Sequence, residues 1–190
     1  SVDSNSGWLG GEGESWERGP YYLDGLIPLA YLLGNERLIS KARKWVDWTL
    51  SSQEEDGQFG PRKNADWWPR MIMLKALIQY CEATGDARVI DFMTLYFRYQ
   101  AIHAIKRPLE NWGASRVAEN IYSIFWLYNR TGEGQLLDLA ETLFSQGLDW
   151  TGTFTEFPFP RPIKFYYNWH EMIGKLRHWQ ETGNDLINFF

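Results

Sequence analysis

Leu33-Gly34-Asn35-Glu36, Thr84-Gly85-Asp86-Ala87, Thr131-Gly132-Glu133-Gly134 and Thr182-Gly183-Asn184-Asp185 are four versions of one short signal. Their glycines lie 51, 47 and 51 residues apart, and an aromatic stands a few positions before each: Tyr31, Tyr80, Tyr128 and Trp179. Glycine adopts the left-handed conformation that closes a helix, and the acidic or amide residue after it starts the next one. A repeat near 50 residues with one tight turn per unit predicts stacked antiparallel helix pairs. The fold class is therefore all-α.

Outward from each signal the two flanks differ. The residues before it are apolar nearly all round: 21–33 are broken only by Asp24 and Gly25, and 71–81 and 121–128 are similarly rich. Helices of that kind belong in the centre of an array. The residues after it are amphipathic. In 37–50, Leu38, Ala42, Trp45 and Thr49 share a face, with Lys41, Arg43, Lys44 and Asp47 off it. In 135–145, Leu136, Leu139, Ala140 and Leu143 oppose Asp138, Glu141 and Thr142, and 87–104 is patterned less cleanly. These helices form an outer layer with one wet face. The inner segments 21–33, 71–81 and 118–128 are thus expected to be more buried than 37–50.

Inner helices reach outer ones through a few residues, whereas the returns over 53–65, 105–113 and 148–167 are long. All long returns fall at the end where inner helices begin, and long loops on a rigid scaffold usually carry function. Two concentric layers of such hairpins predict an (α/α) toroid. A ring of six pairs takes about 300 residues at about 50 each. Residues 1–190 then form a single helical-repeat region of about three and a half hairpins, an incomplete (α/α)6 barrel. A complete, open solenoid is the other reading of the same repeat.

Composition narrows the class further. A net charge of −5 argues against a nucleic-acid surface, and the longest apolar run, 26–33, is too short for a membrane span. Cys81 stands alone, which excludes an intrachain disulfide or a thiolate zinc cage and leaves the compartment open. No signal peptide is visible at Ser1, as in a mature or trimmed chain. The 11 Trp serve two ends, packing between helices and stacking on flat apolar faces such as those of sugar rings.

Four polar-aromatic clusters fall at the long-loop end. Trp16, Glu17 and Arg18 precede Pro20, which suits a first helical turn. Asp66, Trp67 and Arg70 surround Pro69, with Asp66 and Arg70 on one helix face. Trp112 and Arg116 precede Glu119 and Asn120, which Arg116 reaches at i+3 and i+4. The fourth cluster is Tyr166-Tyr167-Asn168-Trp169-His170-Glu171. Each pairs an aromatic with groups that hold hydroxyls, the lining a sugar pocket needs. Caps and satisfied ion pairs would account for Glu17–Arg18, Asp66–Arg70 and Arg116–Glu119 equally well. His170 and His178 read as ordinary helix residues, and Trp45, Trp48 and Trp126 as packing. Recurrence at one end of successive repeats favours function.

The run Gly7-Trp8-Leu9-Gly10-Gly11-Glu12-Gly13-Glu14-Ser15-Trp16-Glu17-Arg18-Gly19-Pro20-Tyr21-Tyr22-Leu23-Asp24-Gly25-Leu26 resembles the β-L-arabinofuranosidase family of glycoside hydrolases, family 127 and its relatives. So do Trp48-Thr49-Leu50-Ser51-Ser52-Gln53 with Asp56-Gly57, and Trp126-Leu127-Tyr128-Asn129-Arg130-Thr131-Gly132. The resemblance implies an (α/α)6 catalytic toroid that hydrolyses L-arabinofuranosyl or related linkages with retention. It also implies a cysteine nucleophile beside zinc, in a paired-cysteine motif late in the toroid, and a Glu-x-Cys motif. Neither motif occurs here, and Cys81 sits at the wrong end of its helix to inherit the nucleophile.

The leading expectation is the N-terminal part of a toroid glycosidase, with a carbohydrate substrate and the remainder of the same polypeptide as partners. Its binding residues would be Trp16, Glu17, Arg18, Asp66, Trp67, Arg70, Trp112, Arg116, Glu119 and Asn120, lining one surface. No cofactor or metal is expected within this segment, with zinc reserved for the full-length enzyme. Two alternatives stay open. One is a toroid enzyme using a carboxylate pair drawn from Glu17, Asp24 and Asp66 on another glycan, unsaturated uronides included. The other is a non-catalytic module that binds glycan or protein.

Overall fold

The structure, a computed structural model, describes residues 4–150. The turn at Gly183, the 166–171 cluster, His178 and the return beyond Trp150 lie outside the described residues. Within them stand seven α-helices and no strand: α1 (Arg18–Leu32), α2 (Glu36–Ser51), α3 (Trp67–Thr84), α4 (Arg88–His103), the short α5 (Asn111–Ser115), α6 (Val117–Thr131) and α7 (Gln135–Gln146). None is long and apolar enough to cross a membrane.

The turn signals act as read. Gly34, Gly85 and Gly132 all have positive φ, at 58°, 71° and 69°. Asn35 Oδ1 then accepts from Leu38 N at 3.1 Å to start α2, and Asp86 Oδ1 accepts from Arg88 N at 3.1 Å to start α4. Glu133 departs from the pattern: its carboxylate pairs with Arg98 across to α4.

The helices alternate between two layers. α1, α3 and α6 lie side by side with α3 in the middle, while α2 backs α1 and α7 backs α6. α3 is buried over most of its length, from Trp67 through Ile78, because it has a neighbour on both flanks. α1 is less buried than its all-round apolarity predicts. Leu29 is 50 % and Leu32 86 % exposed, since α1 has a described inner neighbour on one flank only. Tyr122 and Phe125 on α6 are exposed for the same reason. The amphipathic α2 buries Ile39, Ala42, Trp45, Val46 and Thr49, against Leu23, Leu26, Ile27 and Ala30 within 21–33, so the greater burial expected of 21–33 over 37–50 is not met by the count of buried positions.

α1 and α3 pack in a fixed register. Glu17 meets Trp68 51 positions later, Asp24 meets Lys75 51 later, and Trp16 meets Asp66 50 later. Residues one repeat apart therefore stand beside each other. This register turns a periodic sequence into rungs across the face of the inner layer that points away from the outer helices.

Candidate functional site

The site begins with a glycine-rich approach to α1. Trp8 is fully buried, and its Nε1 donates to the Trp16 carbonyl at 2.7 Å, which sets the height of the α1 entrance. Two later glycines fit against that indole. A Cβ on Gly19 would come within 2.8 Å of Trp8, and one on Gly60, at φ +84°, would do the same. The run 7–19 is thus a pedestal for Trp16 and Glu17.

At the rim the three inner helices meet. Trp16 Nε1 donates to Asp66 Oδ2 at 2.9 Å, while Asp66 Oδ1 caps α3 by accepting from Trp68 N at 3.0 Å. Trp68 Nε1 donates to Glu17 Oε2 at 2.7 Å. The Arg116 guanidinium stands 4.8 Å from the Trp68 ring centre and 5.4 Å from that of Trp112, within cation–π range of both. Trp16, Glu17, Asp66, Trp112 and Arg116 therefore converge, joined by Trp68. Trp16 and Trp112 keep part of their rings exposed, whereas Arg116 is only 1 % exposed.

The other expected residues go elsewhere, and three expectations need correcting. Arg70 was paired with the Asp66 side chain by spacing. Instead its Nε, Nη1 and Nη2 donate to the carbonyls of Phe59, Asp66 and Asn64 at 2.9, 2.8 and 2.8 Å. It clasps the α2–α3 connection, and burial pulls its pKa below the ordinary arginine value. Trp67 turns away from the open face: its Nε1 donates to the Arg107 carbonyl at 2.9 Å under the Arg107 guanidinium. Of Arg116, Glu119 and Asn120, the first two both meet α3, Arg116 over the Trp68 ring and Glu119 beside Lys75, while Asn120 departs from them. Asn120 is fully buried and donates to Gln100 Oε1 on α4 at 2.8 Å. Arg18 is exposed at the mouth.

Glu119 instead meets a residue absent from the expected set. Lys75 on α3 lies between Asp24 on α1, at 3.5 Å, and Glu119 on α6, at 3.9 Å. Gln79 Nε2 donates to Asp24 Oδ1 at 2.7 Å. Lys75 and Gln79 interrupt an otherwise apolar run one turn apart, and that polar pair was the signal in the sequence. Trp68 was hidden beside Trp67, since adjacent helical residues point about 100° apart.

Beside the rim, a cavity of about 870 Å³ opens between the glycine-rich approach and the α2–α3 connection, with Trp48, Glu12, Glu55 and Lys63 among its lining. At the opposite end, burial pushes the Cys81 thiol up, and its Sγ lies 3.5 Å from the Asp86 carbonyl. Among the described residues no group of three His, Cys, Asp or Glu side chains converges to hold a metal.

Residues 17–150 match the family model for the β-L-arabinofuranosidase GH127 catalytic domain. The chain belongs to the GH127 family. No curated protein and no solved structure matches it. The matched span starts at Glu17, one residue after Trp16, and covers all seven described helices. Membership in GH127 makes this a glycoside hydrolase of the arabinofuranosidase type, with a carbohydrate substrate.

Proposed function

We propose that this segment holds the sugar of an L-arabinofuranosyl-type glycoside. The groups that break the bond belong to further repeats of the same toroid, where the family's cysteine and zinc would reside. One observation carries the reading: a carboxylate, Glu17, and a partly exposed indole, Trp16, from the first repeat share one rim with a second partly exposed indole, Trp112, from the third. Indole faces stack on sugar C–H surfaces, and a carboxylate accepts from hydroxyls. Trp68 and Arg116 serve that rim from beneath, Arg70 and Trp67 hold its loops, and Asp66 orients Trp16. Exposed Leu29, Leu32, Tyr122 and Phe125 support further inner helices on both flanks.

Titration with an aryl β-L-arabinofuranoside tests the reading. Glu17→Gln and Trp16→Ala should each weaken binding by about tenfold, the loss expected for one charge-assisted hydrogen bond or one stacked ring. Their thermal midpoints should stay close to the parent. Unchanged affinity with a lowered midpoint would reduce the rim to a structural device. The 190-residue chain itself should bind without turnover. Robust turnover would move catalysis onto Glu17, Asp24 or Asp66.

A further inference from the structure

We infer that Arg70, Tyr96 and Arg107 enclose a site for a small monovalent anion of the halide kind, beneath the α2–α3 connection. The site lies behind the rim, and the inference is independent of the sugar reading.

Consecutive carbonyls bring the two arginines together. Arg70 donates to those of Asn64 and Asp66, and Arg107 Nη1 donates to that of Ala65 between them. Arg70 is buried, while Arg107 is half-buried with its Nη2 enclosed. Neither has a carboxylate within salt-bridge distance among the described residues. The Asp66 carboxylate, on the same stretch, is exposed and already accepts from Trp16 Nε1 and Trp68 N. Tyr96 on α4 is a separate pointer to a ligand. It is fully buried, and its hydroxyl has no hydrogen-bond partner. On one side its ring lies 4.8 Å from that of Phe59, which is 5.8 Å from the Arg70 guanidinium. On the other, Tyr99 bridges from Tyr96, at 6.3 Å, to Trp67, at 6.2 Å, and Arg107 lies 3.8 Å over that indole.

Burial pushes the Tyr96 hydroxyl up, and both guanidiniums are close enough to work against that shift. The hydroxyl thus stays a proton donor beside two cations, with Arg107 Nη2 as a second donor without a partner. Water would satisfy these donors but leave both positive charges as they stand. An anion answers both demands, since a charge out of water is tolerated where it is paired and hydrogen-bonded. Walls made by Phe59, Trp67 and Tyr99 suit a singly charged ion over a multiply charged oxyanion, whose desolvation costs far more. A passage of about 390 Å³ lined by Glu54, Gln58, Gly60 and Arg62 reaches Arg70. Glu54 is paired there with Arg62 at 2.9 Å, which offsets its charge at the entrance. Gln58 has a buried Oε1 without a partner, and a turn of its amide presents Nε2 to an anion instead. Of the other titratable groups nearby, His103 stacks on Tyr99 at 4.2 Å, and Lys106 and Glu110 are exposed.

The full chain is melted at fixed ionic strength while sodium gluconate is exchanged for sodium chloride. The midpoint should rise along a saturating curve, by about 3 °C or more at the plateau, because an ion that binds only the folded chain stabilises it by mass action. Tyr96→Phe keeps the ring and removes the donor. It should lose at least half of that rise while melting in gluconate within about 2 °C of the parent, since the hydroxyl it removes has no protein partner. Arg107→Gln, at a half-buried position, should lose the rise as well and carries the comparison if Tyr96→Phe does not fold. A crystal soaked in bromide should place the anomalous peak within hydrogen-bond reach of Tyr96 Oη and Arg107 Nη2. Equal midpoints in chloride and gluconate would overturn the site in favour of water. A full chloride response in either variant would overturn it too, as would a bromide peak found elsewhere alone, which marks an adventitious ion only.

Discussion

The two ends of the hairpins use the same residue types in opposite ways. At the short-turn end, Arg88 bridges Asp86 and Asp47 in the open, and Arg130 lies 3.8 Å from the Trp126 ring centre while pairing with Glu82. At the long-loop end, Arg70 and Arg116 are each 1 % exposed. One is spent on loop carbonyls and the other is enclosed by indoles. Water screens the first set, so it fastens turns and little more. Desolvation makes the second set expensive to disturb and able to fix the geometry of neighbours. A surface that must hold a ligand in one pose needs the second kind.

That contrast breaks or sharpens under substitution. Trp8→Ala removes the pedestal under the α1 entrance and should cost about 4 kcal/mol in denaturant unfolding, the usual loss for a fully buried large aromatic. A loss below about 1 kcal/mol would mean that the glycine-rich approach is not integral to the rim. Arg70→Lys should cost about 2 to 3 kcal/mol, because an ammonium cannot replace a planar fork serving three carbonyls. Stability equal to the parent would show that the clasp is dispensable.

The smallest effect belongs to the short-turn end. The Arg88 guanidinium holds the Asp86 carboxyl below the ordinary carboxylate range. A depressed folded pKa stabilises above the ordinary carboxylate pKa and loses that contribution as pH falls through the folded value. Asp86→Asn should therefore cost about 1 kcal/mol or less at pH 7. The difference from the parent should shrink below about pH 4. A gap that stays constant down to pH 2 would show that the loss does not come from the charge of the Asp86 carboxylate.

Much of the fold was legible because it depends on local chemistry. Gly34, Gly85 and Gly132 announce left-handed helix ends whatever packs around them, and the apolar run through α3 announces a helix with neighbours on both sides. The site was legible by location more than by partner. Spacing along one helix predicted Asp66–Arg70 and Arg116–Glu119, yet Asp66 and Glu119 found their partners one repeat away. Sequence separation along a helix says nothing of the register between helices, and that register decided which groups met. Lys75 was passed over because a lone cation in an apolar run reads as an imperfection until both acidic neighbours are seen.

The offset of about one repeat between facing residues sets what kind of change this architecture tolerates. Loops can lengthen or shorten at modest entropic cost, because they lie outside the register. One residue inserted into α3 before Lys75 would turn every later side chain by about 100° and advance it by 1.5 Å. Asp24 and Glu119 would then face an apolar residue, and the lower contacts of Gln79 and Glu82 would slip together. Diversification is thus channelled: hairpins can be exchanged whole and their loops rewritten, while the inner helices must keep their count.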